Sequence, residues 1–206
     1  YYLVTGSDLD KTKEQLPIAY IDRAKSIFTC CGNQQWIKDE LIYDNKFEIP
    51  KKLNKLLGTI LSNSSYPHRY GNHIEDRGSM VNFSIVGRNC TQEQRDEYFK
   101  YDNENSERKI ITHAIKEKFP NLDAVIGGQI SIDIYPKGMD KSQVLEHIED
   151  KEERYCPEKY IFIGDRTIKG GNDYPLAKLM VGKCFRDFYQ TEGPEQTQKI
   201  LESLID

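Results

Sequence analysis

The sequence predicts an α/β protein that is interrupted by an α+β insertion. Strand-like and helix-like stretches alternate at both ends of the 206-residue chain, as they do in a parallel sheet covered by helices. The middle of the chain instead combines helical periodicity with strands in which polar and apolar residues alternate. We therefore expect a core domain formed by residues 1–48 and 137–206, and an inserted α+β domain formed by residues 49–136.

The first 48 residues contain short alternating elements. An apolar run at 1–5 predicts a strand, the stretch 11–16 a helix, and residues 26–31 a second strand. Residues 34–38 and 41–45 predict a hairpin across the turn Lys38-Asp39-Glu40.

The inserted domain shows clearer periodicity. Apolar residues at 53, 56, 57, 60 and 61 predict a helix, and 62–71 reads as a loop. Thr91-Gln92-Glu93-Gln94 has the form of a capping box, which predicts a helix from there to about residue 100, and a second helix is expected over 106–119. In the strands predicted at 80–87 and 129–135, Val81, Phe83 and the isoleucines alternate with polar residues.

The last part of the chain returns to the alternating pattern. We expect a helix at 141–148, an apolar strand at 159–164 and a final helix from Pro194. In that helix, residues 200, 201, 204 and 205 form the predicted buried stripe.

Composition narrows the function classes. The net charge of −4 disfavours nucleic acid or an anionic membrane as the main partner, and no apolar run approaches the ~20 residues of a membrane-spanning helix. The five cysteines lack metal-binding spacing, so we read them as reduced thiols in a cytoplasmic protein.

The stretch GDRTIKGGNDYPLA, residues 164–177, carries the strongest chemical signal. It places Asp165 and Asp173 after a strand and around a glycine-rich loop, at the sheet edge where α/β proteins bind ligands. Two carboxylates beside a phosphate suit Mg²⁺. The alternative is an acidic surface turn.

The stretch GGQISIDIYPKGMDK, residues 127–141, contains a polar strand face with Ser131 and Asp133. These side chains suit hydroxyl or phosphate groups, and Lys141 suits a phosphoryl group. The alternative is a sheet face that is half exposed to solvent.

Three arginines surround the strand predicted at 80–87. Arg77 precedes it, Arg88 follows it, and Arg95 lies one turn into the next helix. Guanidinium groups bind phosphate in a bidentate manner, and the helix N-terminus adds backbone donors. Taken alone, each could be an ordinary solvated arginine.

Together, these stretches resemble the eukaryotic-type phosphomannomutases of the haloacid dehalogenase superfamily. The resemblance covers nearly the whole chain through TGSDLDKTKEQL, IEDRGSMVNFSIVGRNCTQEQR, GGQISIDIYPKGMDK and GDRTIKGGNDY. It implies a Rossmannoid core with an inserted α+β cap, and it identifies the cap with residues 49–136.

The resemblance also bears on Asp8-Leu9-Asp10-Lys11-Thr12, which looks like an aspartate-nucleophile motif. In the family, this run corresponds to the second motif, where Ser7 binds the transferred phosphoryl group. The nucleophile strand is expected upstream of Tyr1, and Asp10 is followed by Lys11 instead of the glycine that a tight turn favours. We therefore interpret Asp8 and Asp10 as a coincidental match.

The resemblance assigns the remaining roles. Ser7 and Lys141 would hold the phosphoryl group, and Asp165 would bind Mg²⁺ together with the first motif expected upstream. Asp173 is added as a metal-binding candidate by the glycine-rich loop described above. In the cap, Arg77, Arg88 and Arg95 would grip the far phosphate, and Ser131 and Asp133 would contact sugar or phosphate.

The implied reaction interconverts mannose 6-phosphate and mannose 1-phosphate for GDP-mannose biosynthesis. It passes through an aspartyl-phosphate and uses a hexose 1,6-bisphosphate as activator. A homodimer through the cap is also implied. Pro175 and a short loop at 177–182 depart from the family pattern and weaken the case for a second cation. The alternatives are a sugar-phosphate phosphatase of the same superfamily and a non-catalytic relative.

Overall fold

The computed structural model describes residues 1–149, 160–181 and 186–205. The chain forms two compact units, Tyr1–Met139 and Asp140–Asp206. In the described part of the chain, no helix has both the length and the apolar character needed to cross a membrane.

The first sheet of unit 1 has four strands in the order β1-β2-β3-β4. β1 and β2 are parallel and are connected through two short helices, whereas β2–β3 and β3–β4 are antiparallel. The predicted strand, helix and hairpin are thus confirmed, and the helix α2 is an addition that the sequence did not predict. The elements are β1 Tyr2–Val4, α1 Leu9–Gln15, α2 Ile18–Arg23, β2 Ser26–Thr29, β3 Gln34–Ile37 and β4 Glu40–Asp44.

A left-handed segment follows β2. Cys30, Cys31 and Gly32 have φ values of 51°, 59° and 88°, a conformation that costs energy for residues with a Cβ. Within this turn, the backbone N–H groups of Cys30 and Cys31 donate to the carbonyls of Ser7 and Thr5. The strand predicted over 26–31 therefore ends at Thr29, and the turn instead ties the loop after β1 to the end of β2.

The second sheet of unit 1 is entirely antiparallel, in the order β5-β6-β8-β7. Three helices accompany it, and the capping box predicted at Thr91 and Gln94 is present. Strands β5 and β7 were not predicted from the sequence. The elements are α3 Lys51–Asn63, β5 Ile74–Asp76, β6 Val81–Phe83, α4 Gln92–Asn105, α5 Glu107–Lys118, β7 Leu122–Gly127 and β8 Ser131–Pro136.

The apolar face of this sheet forms the largest hydrophobic core in the described residues. Alternate residues of β6 and β8 pack with α3 and α5, as the alternation predicted, and each fully buried aliphatic side chain contributes about 1.5–3 kcal/mol. Members of this core include Leu53, Leu57, Val81, Phe83, Ile111, Ile115, Ile132 and Ile134. Burial of one face fixes the polar residues of the same strands on the other.

Unit 2 contains a parallel strand pair, as expected for this end of the chain. β9 and β10 pair in register from Tyr160–Arg186 to Gly164–Gln190, and β10 and α7 were not predicted. The elements are α6 Val144–Glu149, β9 Tyr160–Gly164, α7 Tyr174–Met180, β10 Arg186–Gln190 and α8 Pro194–Ile205.

The buried stripe predicted for α8 is wrong in part. Leu201 and Leu204 are 47% and 39% exposed, because periodicity identifies an apolar face without showing what covers it. Cys30, Cys31 and Cys90 form no disulfide bond in the described part of the chain, which agrees with the thiol part of the cysteine prediction. The other two cysteines, 156 and 184, lie outside the described residues.

The two sheets of unit 1 fall on either side of residue 48. Strands β1 to β4 end at Asp44, and strands β5 to β8 lie between Ile74 and Pro136. The bounds 49–136 of the inserted domain stay a prediction. The grouping of residues 137–206 with 1–48 in one core domain stays a prediction.

Candidate active site

A row of polar side chains crosses the second sheet. Glu75 on β5 is paired with Asn82 on β6, and Asn82 is paired with Asp133 on β8. Directly opposite residues on neighbouring strands lie on the same face. The Asn82 Nδ2 group donates a 2.8 Å hydrogen bond to Asp133 Oδ1. The row is therefore connected through side chains as well as through the backbone.

Asp133 is almost completely buried on this face, with 2% of its surface exposed. Besides the bond from Asn82, it accepts a weak hydrogen bond at 3.8 Å from the Cys31 thiol. A Cβ atom at Gly127 would lie 2.5 Å from Asp133 Oδ2. The glycine opposite the Ser131 end of β8 thus makes room for this carboxylate.

Arg77 follows β5 and contacts two parts of unit 1. Its Nη1 group donates to the Gly6 carbonyl at 2.6 Å, and its Nη2 group donates to Glu75 at 2.8 Å. Its Nε atom lies 3.6 Å from Asp8 Oδ2, and the side chain is 4% exposed. Burial alone would lower the pKa of Arg77, but nearby carboxylates, Asp133 first, hold it above its ordinary value. Arg77 is a firmly held cation.

Arg88 lies five residues after the end of β6 and contacts the same face of the sheet. Its Nη1 group donates a 2.9 Å hydrogen bond to the Ser131 hydroxyl, and its Nε atom lies 3.4 Å from Glu75. Burial lowers the pKa of Arg88, and the neighbouring positive charges of Arg77 and Arg95 lower it further. The three predicted arginines thus share one neighbourhood, and an incoming anion would relieve their repulsion.

Arg95 lies on the first helical turns of α4, behind the capping box of Thr91. The residue as a whole is partly exposed, as are Arg77 and Arg88. The 14-residue helix directs its free N–H groups and its positive dipole end toward its start. Arg95 therefore adds a positive charge close to the N-terminal end of α4, and this charge acts on Arg88.

Ser7 is the neighbour in sequence of Gly6, which contacts the arginine cluster. Ser7 is partly buried in the Gly6–Asp8 loop, whose Gly6 carbonyl binds Arg77. Asp8 caps α1 by accepting a hydrogen bond from the Lys11 N–H. The interpretation of Asp8 and Asp10 as a coincidental match to a nucleophile motif stays a prediction.

The other three predicted site residues lie in unit 2. Lys141 donates a 2.6 Å hydrogen bond to Asp173 Oδ1, and both side chains are less than a tenth exposed. Asp173 Oδ2 accepts a 3.0 Å bond from the Arg166 N–H. Burial would raise the pKa of Asp173, but the Lys141 charge and these hydrogen bonds hold it below its usual range. Lys141 and Asp173 therefore form an ion pair.

Asp165 stands at the end of β9 beside this ion pair. Burial raises the pKa of the Asp165 carboxyl, and the negative charge of Asp173 raises it further. A cation bound next to both carboxylates would offset both effects. The prediction that the two aspartates are neighbours thus agrees with their electrostatics.

The chain matches the family profile described as eukaryotic phosphomannomutase over residues 2–206. The chain belongs to this family. It is 36% identical to phosphomannomutase 1 of Dictyostelium discoideum, an alignment that covers 98% of this chain and 82% of that protein. It is 34% identical to the phosphomannomutase of Saccharomyces cerevisiae, with 98% and 80% covered.

Two solved structures have folds similar to that of this chain. The sucrose-phosphatase of Synechocystis superposes with a TM-score of 0.55 at 11% identity, covering 99% of this chain and 82% of that one. A subclass IIB sugar phosphatase of the HAD superfamily superposes with a TM-score of 0.50 at 12% identity, covering 98% and 85%. The predicted haloacid-dehalogenase fold with an inserted cap is thus supported.

The residues present fit a magnesium ion of the kind the family implies. The described residues contain no group of three or more His, Cys, Asp or Glu side chains able to hold a metal. Mg²⁺ needs no such cage, since it usually takes one or two carboxylates together with water and substrate phosphate. Asp165 would provide one carboxylate, and the lone pairs of Asp173 that do not accept from Lys141 or Arg166 would provide another.

Two features of the site were missed from the sequence. Glu75, which contacts Arg77 and Arg88, lies on a three-residue strand with no clear alternation. Arg108 on α5 forms a buried ion pair with Asp102 and donates to the carbonyls of Gly128 and Ser131. The sequence offered one indication for Arg108, which is its charge close to the start of a predicted helix. A charged residue that is buried there needs a partner of opposite charge.

Proposed function

We propose that this protein is a phosphomannomutase that interconverts mannose 6-phosphate and mannose 1-phosphate. The observation that carries the proposal is the convergence of Arg77, Arg88 and Arg95 beside Ser131 and Asp133 in a member of the phosphomannomutase family. This arrangement combines positive charge for a phosphate with acceptors for sugar hydroxyls.

The cap residues would bind and orient the substrate. Arginine offers planar, paired donors that match phosphate oxygens. The Ser131 hydroxyl, which accepts from Arg88, would donate a hydrogen bond to the sugar or its phosphate. The buried Asp133 carboxylate would accept a hydrogen bond from a sugar hydroxyl. Binding energy at this nonreacting end would position the opposite end for phosphoryl transfer.

The reacting end would be held by other residues. Ser7 would bind the transferred phosphoryl group through its hydroxyl, and Lys141 would offset its negative charge. Mg²⁺, held by Asp165 and Asp173, would supply charge neutralisation at the phosphoryl oxygens. The roles proposed for these residues are binding and orientation of the phosphoryl group.

The decisive experiment measures the products that the protein makes from mannose 1-phosphate. A mutase should give mannose 6-phosphate only when a hexose 1,6-bisphosphate activator is added, with little free phosphate. Stoichiometric release of inorganic phosphate would instead establish the sugar-phosphate phosphatase alternative. Absence of either product, together with binding of mannose 6-phosphate, would establish a non-catalytic relative.

The magnesium assignment has a separate readout in thermal unfolding. Mg²⁺ that binds only the folded protein should raise the melting temperature in a concentration-dependent manner. Asp165→Asn should remove this shift, whereas Glu192→Gln, at an exposed acid of the same unit, should retain it. An equal shift in both variants would show that Asp165 is not a ligand.

The proposal extends to location and assembly. A reduced-thiol protein that supplies mannose 1-phosphate for GDP-mannose synthesis would work in the cytoplasm. A homodimer through the cap is supported by Ile110, whose side chain on α5 is 63% exposed. Light scattering should give twice the monomer mass, and Ile110→Asp should reduce that mass to the monomer value. A monomeric wild-type protein would contradict this part of the proposal.

A further inference from the structure

The Glu75 carboxylate lies between two of the arginines assigned to the substrate phosphate. Its Oε2 atom is 2.8 Å from Arg77 Nη2 and 3.4 Å from Arg88 Nε. The Glu75 side chain is 29% exposed, whereas those of Arg77 and Arg88 are 4% and 14% exposed. A single oxygen of Glu75 thus contacts both cations from the more solvent-accessible side.

The arginines have capacity for further acceptors. Their Nε atoms are buried and have no hydrogen-bond partner among the described residues. Glu75 approaches the Arg88 Nε atom only to the distance of an ion pair without a hydrogen bond. An acceptor group with better geometry would therefore gain hydrogen bonds that Glu75 does not make.

Charges of both signs lie close to Arg77 and Arg88. Arg77, Arg88 and Arg95 contribute three positive charges to this neighbourhood, and Glu75, Asp8 and Asp133 contribute three negative ones. A phosphate monoester carries about two negative charges at neutral pH. Its entry would place like charges within a few ångströms of Glu75, at a cost that is substantial in a partly buried site.

We propose that Glu75 is an internal counter-ion that the substrate phosphate displaces from Arg77 and Arg88, and that it limits how tightly the phosphate is held. This inference rests on the proposed function. A mutase has to release one end of a doubly phosphorylated sugar and bind the other, so an unopposed arginine cluster would trap the phosphate. Competition from Glu75 shortens the time for which either phosphate is held.

The test replaces Glu75 with an uncharged residue of the same shape. Glu75→Gln keeps an oxygen that can accept from Arg77 but removes the charge that competes with phosphate. We expect mannose 6-phosphate and inorganic sulfate to bind about tenfold more tightly at low salt. KM should fall, and kcat should fall with it because release becomes slower. Glu104→Gln, at an exposed acid on α4, is the matched change in net charge and should leave the affinities and kinetics unchanged.

The outcomes separate this inference from the proposed function. If the wild-type protein binds mannose 6-phosphate and Glu75→Gln binds it equally or less tightly, Glu75 only orients the arginines and the inference is overturned. If sulfate binding tightens in Glu75→Gln but mannose 6-phosphate binds neither protein, the counter-ion stands and the proposed function fails. If neither ligand binds the wild type, both fail.

A second variant keeps the test valid if Glu75→Gln does not fold. Glu75→Asp retains the carboxylate charge, but the side chain is shorter by one methylene group, so the charge lies farther from Arg77 and Arg88. We expect a smaller gain in affinity for sulfate and mannose 6-phosphate, of about twofold to threefold. Weaker binding than that of the wild-type protein would contradict the counter-ion role.

Discussion

Arg108 and Asp102 form an ion pair whose Nε and Oδ2 atoms are 2.8 Å apart, with 3% and 7% of the two side chains exposed. The Arg108 Nη1 group also donates to the Gly128 carbonyl at 3.0 Å and, at 3.4 Å, to those of Gly127 and Ser131. This pair fixes the β7–β8 turn from which Ser131 and Asp133 follow.

Removal of one partner of this pair should be strongly destabilising. Arg108→Ala leaves a buried carboxylate without its cation and removes the hydrogen bonds that Arg108 donates to three carbonyls, so we expect a loss of about 3–5 kcal/mol in the free energy of unfolding. Urea denaturation followed by circular dichroism measures it. Lys11→Ala, at the exposed pair Lys11–Glu14, should cost less than about 1 kcal/mol. Equal losses in the two variants would contradict the structural role of Arg108.

Two glycines should respond to alanine in opposite directions. Gly58 lies inside α3, and a Cβ there would meet nothing within 4 Å, so Gly58→Ala should stabilise the protein by about 0.5–1 kcal/mol. Gly87 has a φ of +91°, and a Cβ there would collide with the Tyr70 carbonyl. Gly87→Ala should destabilise by more than about 1 kcal/mol, and thermal unfolding of both variants would reveal the contrast. A tolerated Gly87→Ala would mean that the loop can take another conformation.

Arg88 should contribute directly to phosphate affinity. A hydrogen bond to a charged group contributes about 1.5–3 kcal/mol, so Arg88→Ala should weaken the binding of mannose 6-phosphate about tenfold to 150-fold. Arg88→Lys keeps the charge but loses the paired donors, and we expect an intermediate loss. Isothermal titration at fixed ionic strength measures both.

The control for Arg88→Ala is the removal of an arginine that has no proposed role in phosphate binding. Arg23 lies in the last turn of α2 and is exposed, so Arg23→Ala should bind mannose 6-phosphate as the wild type does. If Arg88→Ala also retained wild-type affinity, the arginine cluster would not be the phosphate site.

Cys30 should be unreactive at moderately alkaline pH. Burial raises the pKa of its thiol to about 12, so the thiolate fraction at pH 8 is on the order of 10⁻⁴, against roughly 0.2 for an ordinary thiol. Alkylation by iodoacetamide at Cys30 should be about a thousandfold slower in the folded protein than in urea. Fragment-resolved mass spectrometry distinguishes it from Cys31, and equal rates in both states would contradict the burial of this thiol.

The same pKa shift has a consequence for stability. Because the folded protein holds the Cys30 proton more tightly than the unfolded chain, the unfolded chain ionises first as the pH rises. The free energy of unfolding should therefore decrease from about pH 9 toward pH 12. Cys30→Ala should show a shallower decrease over this range, and an unchanged slope would contradict the assignment.

Periodicity predicted the parts of the fold that have one buried face. The alternation of Val81 and Phe83 with Asn82, and of the β8 isoleucines with Ser131 and Asp133, reports burial directly. The residues of β5 (IED) and β10 (RDFYQ) do not alternate between apolar and polar side chains, so no buried face can be identified from them. Their positions depend on the partners they pair with, which a local pattern does not contain.

The site also contains residues that a local pattern identifies and residues whose role depends on their partners in the fold. The arginines, Ser131 and Asp133 belong to residue types and motifs whose chemistry is visible in the sequence. Glu75 acquires its role only through the strand register that places it opposite Asn82 and beside Arg77. Asp102 and Arg108 are six residues apart across a helix junction at Ser106, so their pairing depends on the angle of that junction.

The carboxylates around Arg77 also allow the protein to fold before any ligand binds. A cluster of three unopposed arginines would repel itself and would order only once an anion arrived, as in segments that fold on binding. Here the counter-charges are encoded in the chain, so a newly synthesised molecule can reach its native state before it meets any metabolite. Purification in phosphate-free buffer should therefore yield protein that is as well folded as protein prepared with phosphate, and the site is ready at the first encounter.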